Sequence, residues 1–160
     1  SVGAVASGSF TVGFNDDVLE DSNALPVTLT TATFTSNSST FAGVVYDGAA
    51  TNADVHAFWV DDDGDSSQAI ANLRFTGIAP VLDEWLGVAV RLTDAGSGNA
   101  AILEVSVAEE STGRYAQKRF TSTIDRDALL TPHIAFQNSG AVAHTGEIDY
   151  IYVRQSRSAT

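Results

Sequence analysis

The stretch WLGVAVRLTDAGSGNAAILEVSVAEESTGRYAQKRFT, residues 85–121, decides the fold class. In its first part, 85–92, Trp85, Gly87, Ala89 and Arg91 fall on one face and Leu86, Val88, Val90 and Leu92 on the other. In 100–107, Ile102, Glu104 and Ser106 alternate with Ala101, Leu103, Val105 and Val107. A period of two is the signature of a half-buried strand, since successive side chains point to opposite faces. Between them DAGSGN, residues 94–99, supplies two glycines and an Asp for a hairpin loop. EESTGR, residues 109–114, is a second turn, and 115–121 is a third alternating run. The whole stretch predicts a three-strand meander.

The same grammar runs outward in both directions. Further strands are predicted over 10–14, 27–34, 41–46, 55–60, 69–75, 133–137 and 147–154. The clusters between them (NDD, TSNSS, DGAATN, DDDGDSS, NSGA) carry residues that tolerate positive φ or bond their own backbone. Ten short strands with polar turns predict an all-β protein, an antiparallel β-sandwich. One helical turn over 126–130, capped by Asp125, is expected as a connection. Residues 1–9 read as an N-terminal arm, 10–155 as the sandwich domain and 156–160 as a C-terminal tail.

Composition limits the function classes. The 160 residues include no Cys and no Met, 20 acids and 8 bases, for a net charge of -12. With no thiol there is no disulfide, thiolate metal site or cysteine nucleophile. Residues 1–73 hold ten acids and no base, a balance of -10; the remainder holds ten acids and eight bases, a balance of -2. Such a surface repels phosphate backbones and anionic lipid, so neither nucleic acid nor membrane is an expected partner. The acidic segments 16–21 and 61–65 are expected to share one region facing solvent or a cation. The start SVGAVASGSF has no basic n-region and no sustained apolar core, so it does not read as a signal peptide.

Three groups of residues can carry chemistry. Asp61, Asp63 and Asp65, with Gly64 for the bend, suit a hard cation such as Ca²⁺, although the position of an EF-hand's closing Glu is Asn72. The plainer reading is a hydrated acidic turn. Glu147 and Asp149 share a strand face, an arrangement that retaining glycosidases use, but the separate acid they need is not supplied by Tyr150, Ile151, Tyr152 or Val153. His56, His133 and His144 are too scattered to suggest a metal site, and no nucleophile elbow or phosphate-cradling glycine loop is present. Trp59 and Trp85 are the candidates for stacking on a sugar. In a two-layer sandwich either Trp59 or the Phe58/Val60 pair must point outward, and burial in a core or subunit contact is the competing role. No enzyme is expected.

One ordered set of segments goes further. Gly13–Asp16 (GFND), Phe41–Asp47 (FAGVVYD), Asp54–Val60 (DVHAFWV), Gly77–Pro80 (GIAP), the hairpin 85–107, Leu130–Ala135 (LTPHIA) and Ile148–Val153 (IDYIYV) follow one another. This order resembles the concanavalin-like jelly-roll domains of tailed-bacteriophage structural proteins, over roughly residues 10–155. The resemblance implies a jelly roll and a non-enzymatic virion role, as a capsid decoration protein, head fibre or tail-associated domain. It implies the major capsid protein or another virion protein as a partner, a homo-oligomer (dimer or trimer), and a place on the capsid surface. The fold is shared with legume lectins and LamG-like modules, so glycan binding is the alternative it implies.

Overall fold

The computed structural model describes residues 7–16, 25–30, 32–62, 64–65, 69–96, 100–125, 128–138 and 145–155. Its strands are β1 (Gly8–Asn15), β2 (Val27–Thr30), β3 (Thr33–Ser36), β4 (Phe41–Asp47), β5 (His56–Asp61), β6 (Gly64–Asp65), β7 (Leu86–Asp94), β8 (Ala100–Glu109), β9 (Tyr115–Asp125) and β10 (Thr131–Asn138). One helical turn, α1, covers Ile70–Leu73. Five strands form a central sheet in the order β10-β1-β4-β5-β6, three form the meander β7-β8-β9, and β2-β3 is a separate hairpin. All pairings are antiparallel. The chain is all-β, with antiparallel sheets packed together as in a sandwich.

The meander forms where the alternation predicts it. Leu103, Val105 and Val107 of β8 are buried, while Gly87, Ala89 and Arg91 of β7 face outward. Asp94 and Gly96 open the first hairpin loop: the Asp94 carboxylate accepts the Gly96 N–H at 2.9 Å, and Gly96 has φ 79°. Residues 97–99 of that loop lie outside the described residues.

The central sheet is covered on both faces. On one side Trp59 of β5 packs on Phe120 of β9, with ring centroids 5.2 Å apart. On the other, Phe34 of β3 stacks on Phe58 at 4.4 Å and meets the edge of His56 at 5.8 Å. Hence Phe58, Trp59 and Val60 are all buried. The two-layer expectation that one face of β5 points outward is corrected: the β2–β3 hairpin adds a layer. Strands β1 and β4 approach closely because Gly13 lies directly opposite Gly43. A Cβ on Gly43 would stand 2.2 Å from the Val12 oxygen and 2.7 Å from the Gly13 Cα.

Three strand expectations are corrected. Residues 27–34 are not one strand, because the chain reverses after Thr30 and Leu29 pairs with Phe34. Buried Val27 and Leu29 occupy odd positions while Phe34 is even, and that change of parity is what a two-residue turn produces. Residues 69–75 are not a strand: Arg74 N–H donates to the Ile70 oxygen at 3.1 Å, closing α1, and only Arg74 bridges, to His56. Ile70 and Leu73 stand three apart, as one helical face requires. Residues 147–154 are not a strand either, since no residue of 145–155 pairs in a sheet. A strand needs a partner edge as well as β-branched and aromatic side chains.

At 126–130 the described part is not helical. Asp125 ends β9 and its carbonyl accepts the Ala128 N–H at 3.2 Å, whereas 126–127 lie outside the described residues. So do 1–6 of the predicted arm and 156–160 of the tail, while the end of the predicted arm is corrected: Gly8 and Ser9 are the first residues of β1, paired with Asn138 and Gln137 of β10. Among the described residues no helix is long and apolar enough to cross a membrane.

Candidate functional site

Two strands of opposing sheets end in acids that meet. β5 closes on Asp61, Asp62 takes φ 46° to reverse the chain, and β6 returns with Gly64 opposite Asp61. β9 closes on Asp125, whose N–H donates to Asp61 Oδ1 at 3.5 Å. The carboxylates of Asp61, Asp62 and Asp125 have ligand oxygens within 4.8 Å of one another. Among the described residues this is the group of three or more potential metal ligands so assembled. An open cleft of about 300 Å³ surrounds it, also lined by Asp16, Thr40, Ala128 and Leu129. The hydroxyl of Ser39 donates to Asp16 Oδ2 at 3.4 Å, and Asp16 N–H donates to the Thr40 oxygen at 3.1 Å.

The electrostatics follow from this crowding. Partial burial pushes the Asp61 carboxyl above its usual range, and the charges of Asp125, Asp62 and Asp16 push the same way. The Asp125 N–H opposes them. Three carboxylate oxygens suit a hard cation, which would relieve the repulsion. Ca²⁺ takes about six to eight oxygens, so water would supply much of any shell here.

The predicted trio Asp61, Asp63 and Asp65 is only partly represented. Asp61 is in the cluster, Asp63 lies outside the described residues, and of Asp65 only the backbone is described, paired with Val60. Sequence spacing missed Asp125, 64 residues away from Asp61. The available signal was weak: Asp61 ends the apolar strand β5, whereas Asp125 ends the largely polar strand β9, so all they share is an acid at a strand end. Asp16 and Asp61 share the cleft, as the acidic-region expectation requires, while 17–24 lie outside the described residues.

The other candidates separate. Trp59 is 2% exposed and belongs to the core. Trp85 is 48% exposed, and its backbone N–H donates to Glu110 Oε2 at 3.3 Å. Glu147 and Asp149 lie on exposed, unpaired chain, so they do not share a strand face. His144 is outside the described residues, and His133 is half-buried. His56 is fully buried, its Nδ1–H donating to the Asp54 carbonyl at 2.8 Å. Burial pulls both described histidines below the usual imidazole range; for His56 the Asp54 carbonyl and charge oppose that, while Arg74 and Lys118 reinforce it.

A second polar network, unforeseen in the sequence, sits beside His56. Arg74 Nε donates to Asp54 Oδ2 at 2.5 Å and its Nη1 to Asn52 Oδ1 at 2.8 Å. Gly77 N–H also donates to Asp54 Oδ2, at 3.1 Å, and Arg114 donates to the Gly77 carbonyl. These bonds tie the entry of β5 to the segment after α1. They leave Asp54 with partners on two sides, which marks a structural clamp.

Neither a family model nor a curated protein nor a solved structure matches this chain.

Proposed function

We propose that this chain is a non-enzymatic structural protein of a bacteriophage virion, a capsid decoration protein that self-associates and docks on the major capsid protein at the particle exterior. The observation that carries the assembly role is the run 148–153. There Ile148 is 50% exposed, Tyr150 79%, Ile151 61%, Tyr152 76% and Val153 51%. Contiguous apolar surface of this kind marks a place where another protein sits. The capsid setting, and jelly-roll connectivity with it, rests on the order of sequence segments that resembles such domains. Binding only to the assembled shell would stabilise it by mass action. An antibody against the chain should label intact purified particles of its source. Particles that carry no copy would overturn the proposal.

A carbohydrate-binding role is the second reading, favoured by the outer face of the meander. Gly87, Ala108 and Tyr115 lie in one cross-strand row, and Trp85 immediately precedes β7. Trp85 and Tyr115 are both exposed, so this end of the meander offers two aromatic rings to solvent near small side chains. A glycan bound on an array and lost on Trp85→Ala would favour this reading over the first.

A further inference from the structure

The meander has a free edge that is built like half of an interface. In the order β7-β8-β9, β7 has no neighbour on one side among the described residues. Its inward row, Leu86, Val88, Val90 and Leu92, is only half-buried, whereas Leu103, Val105 and Val107 in the adjacent row on β8 are fully buried. The facing margin of the central sheet is open as well, since Phe136 of β10 is 50% exposed beside Phe10, 6.2 Å away. A further strand on the β7 edge would close both.

The outer face of the same edge carries an unfinished charge ladder. Arg91 pairs across to Glu104, and Glu104 across to Arg119. The ion-pair distances are 3.4 Å for each. The order is cation, anion, cation, and its edge member Arg91 has a side chain 72% exposed. The position beyond Arg91 calls for an acid.

The segment 148–153 has one acid, Asp149, set among alternating apolar residues. Placed antiparallel with Asp149 beside Arg91, it lays Ile148, Tyr150 and Tyr152 against Leu92, Val90 and Val88. The same register sets Ile151 and Val153 beside the small Ala89 and Gly87. Inward and outward patterns are thus satisfied together, and a one-residue slip would destroy both. The segment does not occupy its own β7 edge. It leaves from Gly146, which is packed so closely on the Phe136 ring that a Cβ would come within 2.8 Å of it.

We infer that residues 148–153 add as a strand to the β7 edge of a second copy of this chain, with Asp149 of each copy paired to Arg91 of the other. Donor and acceptor are on one molecule, so two copies satisfy each other around a two-fold axis. This inference rests on the self-association in the proposed function and names the surface that performs it.

The test is a mixing experiment on the full chain by sedimentation or light scattering, with far-UV circular dichroism confirming each fold. The wild type is expected to be a dimer. Asp149→Arg and Arg91→Asp each set like charges across both contacts and should weaken the dimer at least tenfold. In an equimolar mixture of the two variants, a mixed dimer joins the two reversed positions at one contact and the two native residues at the other. Opposite charges then face each other at both contacts, and the mixture should recover the wild-type affinity. A mixture no tighter than its components overturns the exchange between copies, and closure of each chain on its own edge gives that result. A wild-type oligomer insensitive to both reversals overturns the strand pairing but leaves self-association standing. A monomer at every concentration overturns both.

Discussion

Replacing Gly43 by Ala tests how the central sheet is held together. The new Cβ would lie 2.2 Å from the Val12 oxygen, 2.7 Å from the Gly13 Cα and 3.0 Å from Phe41 Cζ. The first two atoms are backbone, so no side-chain rotation relieves them. Ordinary contact begins near 3.4 Å, so β1 and β4 must part by about 1 Å, the difference from 2.2 Å, inside a seven-pair ladder. Forcing a methyl into a packed site costs about 1–3 kcal/mol. A displaced backbone places this case near the upper end, at about 3 kcal/mol. The matched control is Gly87→Ala, where the Cβ meets Ala108 Cβ at 3.5 Å on an exposed face. A glycine within a strand costs roughly 0.5–1 kcal/mol against alanine, so this change should be neutral or mildly stabilising. Urea unfolding followed by tryptophan fluorescence reads both. With a slope of about 2 kcal/mol/M, Gly43→Ala should lower the midpoint by about 1.5 M and leave the slope unchanged. Two variants within about 0.5 kcal/mol of each other would refute the close-approach argument.

Three further outcomes follow from the polar groups. Asp54→Ala removes the acceptor for Arg74 and Gly77 and should cost about 2–3 kcal/mol by calorimetry, with Asp54→Asn recovering part of it. His56 and His133 have folded-state pKa values below the ordinary 6.5, so the unfolded chain takes up their protons first. Stability should therefore be level above pH 6.5 and fall as the pH drops below it, and His56→Leu should flatten that slope even while lowering stability overall. Asp61 is shifted the other way: its folded-state pKa is raised, so its ionised form is the disfavoured one. Asp61→Asn should stabilise the protein at pH 7 by about 0.5 kcal/mol. That gain should disappear as the pH falls through the raised pKa towards the ordinary 3.8; a gain that persists below 3.8 would count against charge repulsion as its source.

Local pattern made much of this fold legible. The meander could be read from alternation alone, because its strands are consecutive and one face of each is wet. The β5 strand misled the two-layer reading, since Phe58, Trp59 and Val60 are buried on both faces and the covering hairpin is distant in sequence. The hairpin itself was written in the parity change between Leu29 and Phe34. α1 was masked because buried Leu73 and Phe75 also alternate, as in a strand. The acidic cluster was half-legible: Asp61 and Asp62 are adjacent, but Asp125 reaches them only through the packing of β9 over β5. Contacts of that range leave no spacing to read. The clamp of Asp54, Arg74 and Gly77 is hidden for the same reason.

Covering one sheet from both sides also divides the molecule kinetically. The β2–β3 hairpin and the β7–β9 meander rest on opposite faces of the same wall, so each can open while the wall keeps its other cover. Amide hydrogen exchange should then sort into separate cooperative units. The slowest would be the amides of β4 and its neighbours, which exchange only when the whole chain unfolds. The hairpin, a short ribbon of four-residue strands held by Phe34 against Phe58, would be released first.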